Sequence, residues 1–421
     1  MTKTLFTIIG LSLATSALAQ NQPNAQKRVK LNELNKESFS HKVGELYYSP
    51  YFKAKTGYDT NSNRGYQNEE EGAYTEASLG AKIHHQLFSG LTLDTDFEIG
   101  YRETFGSNDN SGLILGSDSG NAKLGFDFDL SEKMTLSLYN NASIGVDKLA
   151  DVRDNANSQS QQLWDNDLGL QLHREITDDT GIAAAVGLKT RRDLKDNSPQ
   201  EEYDETYFGL TLDHQASGRL KLSPFFNYND REWEQGSNDV ETIELGLSTD
   251  FLVSDQVNLN FTVAYFEMDF DNNVDKGVGT FGEPSDKEDG VNFGFTISHF
   301  ATEQFQHTFR VEHETRATTV EYANASEETL FAYNAAYQAN EKLRFTGGVT
   351  WFMGEDQGNG NGGGEDYDIY LVELGTSYKL TERQEVGLKY SYEEKTSDVD
   401  VAGIDAEYDR HLIELNYTYN F

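Results

Sequence analysis

The chain has 421 residues, of which 71 are acidic and 34 basic, for a net charge of −37 at pH 7. It has no cysteine, which excludes a disulfide scaffold, a thiolate metal site, a cysteine nucleophile and a lipid-anchor cysteine. So negative a charge repels phosphates and excludes a nucleic-acid partner, while an aromatic content of 12% excludes a disordered chain, which is poor in such residues.

The first residues, "MTKTLFTIIGLSLATSALAQ", join a basic start at Lys3 to an apolar core from Leu5 to Ala14 and small residues at Ala17 and Ala19. This pattern predicts a secretory signal peptide over 1–19, cleaved after Ala19. No stretch approaches about 18 consecutive apolar residues, so no membrane-spanning helix is expected. Residues 20–45 are polar, carry Lys27, Arg28, Lys30, Lys36 and Lys42, and show no alternation; they read as a short N-terminal extension.

From Leu46 to Phe421 the pattern is period two throughout, in segments of roughly 12 to 16 residues. In "AKLGFDFDL", Leu124, Phe126, Phe128 and Leu130 share one face and Lys123, Gly125, Asp127 and Asp129 the other. "VNLNFTVAY" sets Val257, Leu259, Phe261, Val263 and Tyr265 against Asn258, Asn260 and Thr262. Short connections such as "SEK" at 131–133, "SGR" at 217–219 and "TER" at 381–383 alternate with long polar ones, among them 61–72, 150–162 and 272–288. Short turns at one end and long loops at the other indicate an all-β, closed, antiparallel up-and-down transmembrane β-barrel over 46–421. The segments number about 18, or 16 if two weak ones are miscounted. A water-soluble barrel of this size would need an apolar interior too wide for side chains to fill. With lipid outside and water inside, every backbone group is paired and the pattern fits.

The chain closes on "HLIELNYTYNF", in which Phe421, Tyr419, Tyr417, Leu415 and Ile413 alternate with Asn420, Thr418, Asn416 and Glu414. This ending resembles the assembly signal of Gram-negative outer-membrane β-barrels. A second likeness is one strand long: "YYSPYFKAKTGYDTNSN", residues 47–63, resembles the first strand of porin-like barrels associated with exopolysaccharide systems. These resemblances imply an integral protein of the Gram-negative outer membrane, a periplasmic N-terminal extension, and recognition of Tyr417, Tyr419 and Phe421 by the barrel-assembly machinery. Lipid and lipopolysaccharide would surround the barrel.

With strands about 4.8 Å apart and tilted about 40°, 18 of them close into a cylinder roughly 35 Å across, which side chains cannot fill. The expected function is a porin-like channel for small hydrophilic solutes. The alternative is the exit duct of an exopolysaccharide assembly system, which would need polysaccharide-export proteins as partners. Alternation puts Asp94, Asp96, Glu98, Asp127, Asp129, Asp165 and Asp167 on the inner face in the first half of the chain. It puts Lys53, Lys55 and Lys82 inside near the start, and Arg310, Arg316, Arg344, Lys379 and Lys389 towards the end. Since first and last strands are neighbours in a closed barrel, a basic wall facing an acidic one is expected, with a cation preference from the acidic excess. Simple solvation of these charges is the plainer alternative.

Leu113, Ile114 and Leu115 stand within a polar connection and are candidates for a constriction loop folded into the bore, or for a contact with a neighbouring subunit. "DNNVDKG" at 271–277 begins like a calcium loop, but Lys276 replaces the required Gly and Gly282 the acidic twelfth ligand, so no metal site is expected. The nine histidines are scattered and neither an HExxH nor a GxSxG motif occurs. No enzyme and no cofactor are expected.

Overall fold

The structure, a computed structural model, describes residues 39–61, 71–106, 111–116, 121–145, 162–194, 202–234, 238–271, 286–318, 324–356, 366–398 and 407–421. The expected signal peptide, most of the extension and the greater part of the candidate calcium loop lie outside them. The described residues form one antiparallel sheet of β1 (His41–Val43), β2 (Leu46–Asp59), β3 (Gly72–Phe88), β4 (Leu91–Gly106), β5 (Gly112–Gly116), β6 (Ala122–Ser131), β7 (Met134–Gly145), β8 (Leu163–Thr177), β9 (Thr180–Asp193) and β10 (Tyr203–Ser217). It continues through β11 (Leu220–Trp233), β12 (Val240–Ser254), β13 (Val257–Phe270), β14 (Lys287–Phe300), β15 (Phe305–Ala317), β16 (Ala325–Gln338), β17 (Leu343–Asp356), β18 (Asp366–Thr381), β19 (Gln384–Ser397) and β20 (Tyr408–Asn420).

Apart from β5 and β6, each strand pairs with the next, and β20 returns to β2 from Tyr51↔Asn420 to Asp59↔Leu412, which closes the barrel. β5 and β6 share one place in the wall: β5 pairs with β4 from Glu98 to Arg102, β6 with β4 from Leu91 to Asp96. β1 is a tab on the edge of β2. The wall is therefore a closed antiparallel barrel of 18 strands, and closure leaves no edge to pair in lipid.

The turns at the end holding both Leu46 and Phe421 are tight for a local reason. In "SEK", "SGR", "SDQ" and "TER" the leading hydroxyl accepts a backbone N–H two residues on: Ser131 from Lys133 at 3.3 Å, Ser217 from Arg219 at 3.3 Å, Ser254 from Gln256 at 3.2 Å and Thr381 from Arg383 at 3.2 Å. Asn340 does the same for Lys342 at 2.9 Å. Such bonds mimic a backbone turn and end the ladder within two residues. In the turn after Phe88, Gly90 adopts φ +83°, a conformation that favours glycine.

Alternation sends one face outwards. Leu79, Ile99, Leu170, Leu188, Leu245 and Leu388 are among a belt of exposed apolar side chains. Above it, Phe331, Trp351 and Tyr370 stack in a row with ring centroids 5.5 and 6.0 Å apart, and Trp351 Nε1 donates to Asp368 at 2.7 Å. Amphipathic rings at this level suit the boundary between lipid and water.

Candidate functional site: the inner face and its constriction

The inner face has a unit that recurs. An inward tyrosine lies flat over a glycine directly opposite on the neighbouring strand: Tyr51 over Gly80, Tyr74 over Gly57, Tyr207 over Gly187, Tyr367 over Gly354. A Cβ at Gly57 would stand 2.6 Å from the Tyr74 ring, so the unit requires glycine there. On each flattened ring rides a cation: Lys53 at 4.9 Å from the Tyr51 centroid, Arg102 at 4.5 Å from Tyr74, Lys189 at 5.3 Å from Tyr207 and Lys395 at 4.6 Å from Tyr367. Because the rings lie along the wall, they cover backbone without filling the bore.

The cations are in turn held by carboxylates. Lys53 reaches Glu98 at 2.6 Å, and Glu98 also accepts from Ser78 at 2.6 Å and Tyr51 at 3.2 Å. Lys55 lies between Glu76 at 3.8 Å and Glu414 at 3.7 Å, with Arg102 on Glu76 at 3.2 Å and the Tyr74 hydroxyl donating to Glu414. On the far side Glu205 joins Lys189 at 2.7 Å to Arg231 at 2.6 Å, while Arg191 holds Asp165 at 2.8 Å. Asp167 accepts from Tyr207 at 2.7 Å and from Asn141 at 3.3 Å. Near the closure, Arg410 bridges Asp59 at 2.9 Å and Glu393 at 3.5 Å.

The sequence-predicted charges all sit at inward register positions, but the signs interleave where two separate walls were expected. Arg310 pairs with Glu312, Arg316 with Glu328 at 2.8 Å, and Lys389 with Glu373. Lys82 stands opposite Asp96, Arg344 opposite Ser377 and Lys379 opposite Glu385. The interleaving arises because most of these cations take a carboxylate from a neighbouring strand, while Arg310 takes Glu312 from its own strand β15. Asp127 and Asp129 accept instead from hydroxyls, Ser137 at 2.5 Å and Thr135 at 3.1 Å, which leaves their charge uncancelled by these bonds. Asp94 binds His84 Nδ1 at 2.6 Å, beside the rings of Tyr47 and Phe39. Sequence reading had no means to pair Glu76, Glu205, Glu328 or Arg410 with their partners, since the register that joins them is set between strands.

Leu113, Ile114 and Leu115 are not a loop in the bore. They pair with Tyr101, Gly100 and Ile99 as β5, with Leu113 and Leu115 on the outward face of the wall. β5 spans five residues, Gly112–Gly116, and shares its place in the wall with β6.

A different element narrows the bore. The β14–β15 ladder extends only from Phe293↔His313 to Phe300↔Gln306, whereas β13–β14 and β15–β16 continue to Asp269↔Lys287 and Ala317↔Ala325. Above His313 the β15–β16 hairpin leaves β14 and leans inwards. Ala317 and Ala325 pack on Val240, Phe266, Met268 and Phe270 of the inner face of β12 and β13, and Asn238 Nδ2 donates to Asn324 Oδ1 at 3.0 Å. Small residues at Ala317 and Ala325 permit that approach. At the split, Asn292 Oδ1 accepts the Thr315 N–H at 2.9 Å in place of a ladder bond. A second apolar group, Leu330, Phe352, Tyr367 and Ile369, backs the hairpin.

At the other end, the Phe421 N–H donates to Pro50 O at 3.1 Å, and His41 on the β1 tab contacts Phe421 O at 3.0 Å. The Tyr419 and Phe421 rings meet edge to face, 5.0 Å apart. Among the described residues no group of three or more His, Asp or Glu side chains is placed to hold a metal ion.

No protein-family model matches the chain, and no curated protein sequence matches it. Solved structures do. OpdQ of Pseudomonas aeruginosa matches with a TM-score of 0.51 at 11% identity, over 90% of this chain and 100% of that one. OccK7 (OpdD) of the same organism matches with a TM-score of 0.50 at 12% identity, over 90% and 99%. At such identity the likeness is one of fold: the chain shares the closed β-barrel architecture of these two proteins.

Proposed function

We propose that this barrel is a channel of the Gram-negative outer membrane for diffusion of small hydrophilic solutes, with a preference for cations. The observation that carries the reading is the inner face itself. Eighteen strands enclose a width that side chains lying flat on glycine leave open, and that width is lined with charges and hydroxyls. The inward-leaning β15–β16 hairpin narrows such a bore without crossing all of it. Cation preference follows from Asp127 and Asp129, whose partners are neutral hydroxyls, together with Asp94 and Asp96 on the same sector. Lipopolysaccharide around the belt, and assembly through Tyr417, Tyr419 and Phe421, belong to the same reading.

Purified protein in a planar bilayer should conduct and favour cations, because fixed carboxylates concentrate counter-ions within a Debye length of about 10 Å at 0.1 M salt. Replacing Asp94, Asp96, Asp127 and Asp129 with Asn should move the preference towards anions while the conducting unit persists. Salt near 1 M, where the length falls to about 3 Å, should erase much of it. A folded barrel that carries no current at any salt would overturn the channel and favour the exopolysaccharide exit duct.

A further inference from the structure

Where the hairpin leaves β14 it opens a side pocket of about 250 Å³ between itself and the wall of β11–β14. We propose that this pocket is a binding subsite for one neutral, hydroxyl-rich ring, of the chemical class of a monosaccharide; the inference rests on the channel reading for its physiological use, though not for its chemistry.

Charge is the first argument. The pocket's arginines are each committed to a carboxylate: Arg231 to Glu205 at 2.6 Å, Arg310 to Glu312, and Arg316 to Glu328 at 2.8 Å. Glu244 accepts from Asn227 at 2.8 Å. An anionic solute would have to displace a carboxylate from its arginine, breaking charge-assisted bonds, which are the strong ones. A neutral solute displaces none.

Hydrogen-bonding groups make the second argument. Asn229, Thr242 and Thr296 bring an amide and hydroxyls to the pocket, and Asn260 and Thr262, whose donors are held by Asp250 at 2.8 Å and Ser248 at 3.1 Å, bring acceptor oxygens. Asn229 Oδ1 is buried and has no hydrogen-bond partner among the described residues. A buried acceptor without a donor is costly, so a ligand hydroxyl donating to it is stabilised. Amides and hydroxyls both give and accept, and the hydroxyls of a sugar do the same at close spacing.

Shape is the third. Val240, Ala264, Phe266 and Met268 form an apolar strip along the same pocket, which suits the C–H face of a ring whose edge is polar. The volume falls below the roughly 300–1,000 Å³ typical of pockets for drug-sized ligands, so one ring is accommodated and an oligomer is not. Entry is from the bore or through the split above Phe293 and His313, where the Asn292 side chain spans the strands.

The test is calorimetric titration of the detergent-solubilised full barrel with D-glucose, with arginine and glutamate as charged probes. Saturable heat with glucose, and none with either charged probe, is expected. Asn229→Leu should weaken glucose binding at least about tenfold, the loss of roughly one to two hydrogen bonds. Thr262→Val, which keeps the side-chain shape, should weaken it less and serves if Asn229→Leu does not fold. Absence of glucose heat, tighter binding of arginine or glutamate, or full glucose affinity in Thr262→Val and Asn229→Leu together overturns the subsite. Glucose heat from a barrel that carries no current would support the subsite and remove the channel; current without glucose heat would do the reverse.

Discussion

Two sectors of this barrel solve the same problem of what to place on the inner face. Around β8–β11 the ladders extend to both ends, and Tyr207 lies flat on Gly187 under Lys189, with Glu205 tying Lys189 to Arg231. Around β13–β16 the inner face is apolar near its upper end, and the wall splits so that Ala317 and Ala325 can cover Phe266, Met268 and Phe270. The difference shows that a polar inner face is satisfied within its own wall by register alone. An apolar inner face must recruit a separate element to cover it, and here that element narrows the bore.

Removing the charge at the centre of the first sector should produce the largest effect. Glu205→Gln leaves Lys189 and Arg231 without their carboxylate, and breaking a buried pair of this kind costs about 3–5 kcal/mol. Urea unfolding in lipid vesicles should show a loss in that range; a loss under about 1 kcal/mol would mean that the pair is effectively solvated.

In the second sector, Phe266→Ala removes the seat of the hairpin at a cost of about 3 kcal/mol, borne locally because the closed ladder does not depend on it. Hydrogen exchange should rise at 314–318 and 324–328 while exchange in β8–β11 stays unchanged, and single-channel conductance should increase. Unchanged conductance would show that the hairpin does not set the bore.

Two glycines sharpen the contrast at smaller scale. A Cβ at Gly187 would run into the Tyr207 ring, so Gly187→Ala should cost about 1–3 kcal/mol through overpacking. At Gly294 a Cβ meets Glu312 at 3.6 Å, an ordinary contact, so Gly294→Ala should fall within about 0.5 kcal/mol of the parent. Equal losses at both would break the distinction between the sectors. Asp129→Asn is the smallest: no change in unfolding midpoint, and a modest shift of reversal potential towards anions in a salt gradient, since Thr135 can still donate to the amide oxygen.

Much of the wall was legible because period two is a property of consecutive residues. The outward set Leu124, Phe126, Phe128 and Leu130 and the turn "SEK" follow from side-chain alternation and from a hydroxyl two residues before an amide. The same reasoning misplaced Leu113–Leu115, because three consecutive apolar residues beside a polar connection look alike in a loop and in a short strand.

By itself the sequence determined the class of the molecule: a closed barrel with an oily outside and a charged inside, its short turns at the end where Leu46 and Phe421 lie. Local patterns carry that information, since alternation needs only the pleat of one strand. Only the tertiary structure decided which carboxylate holds which cation, which glycine lies under which tyrosine, and that the β15–β16 hairpin is what enters the bore. Those outcomes depend on register between strands and on packing between strands far apart in the sequence, where Ala325 meets Phe270 and Asp59 meets Arg410. A shift of one residue in any ladder would turn each of these side chains to the lipid, and no single strand carries the information that prevents it.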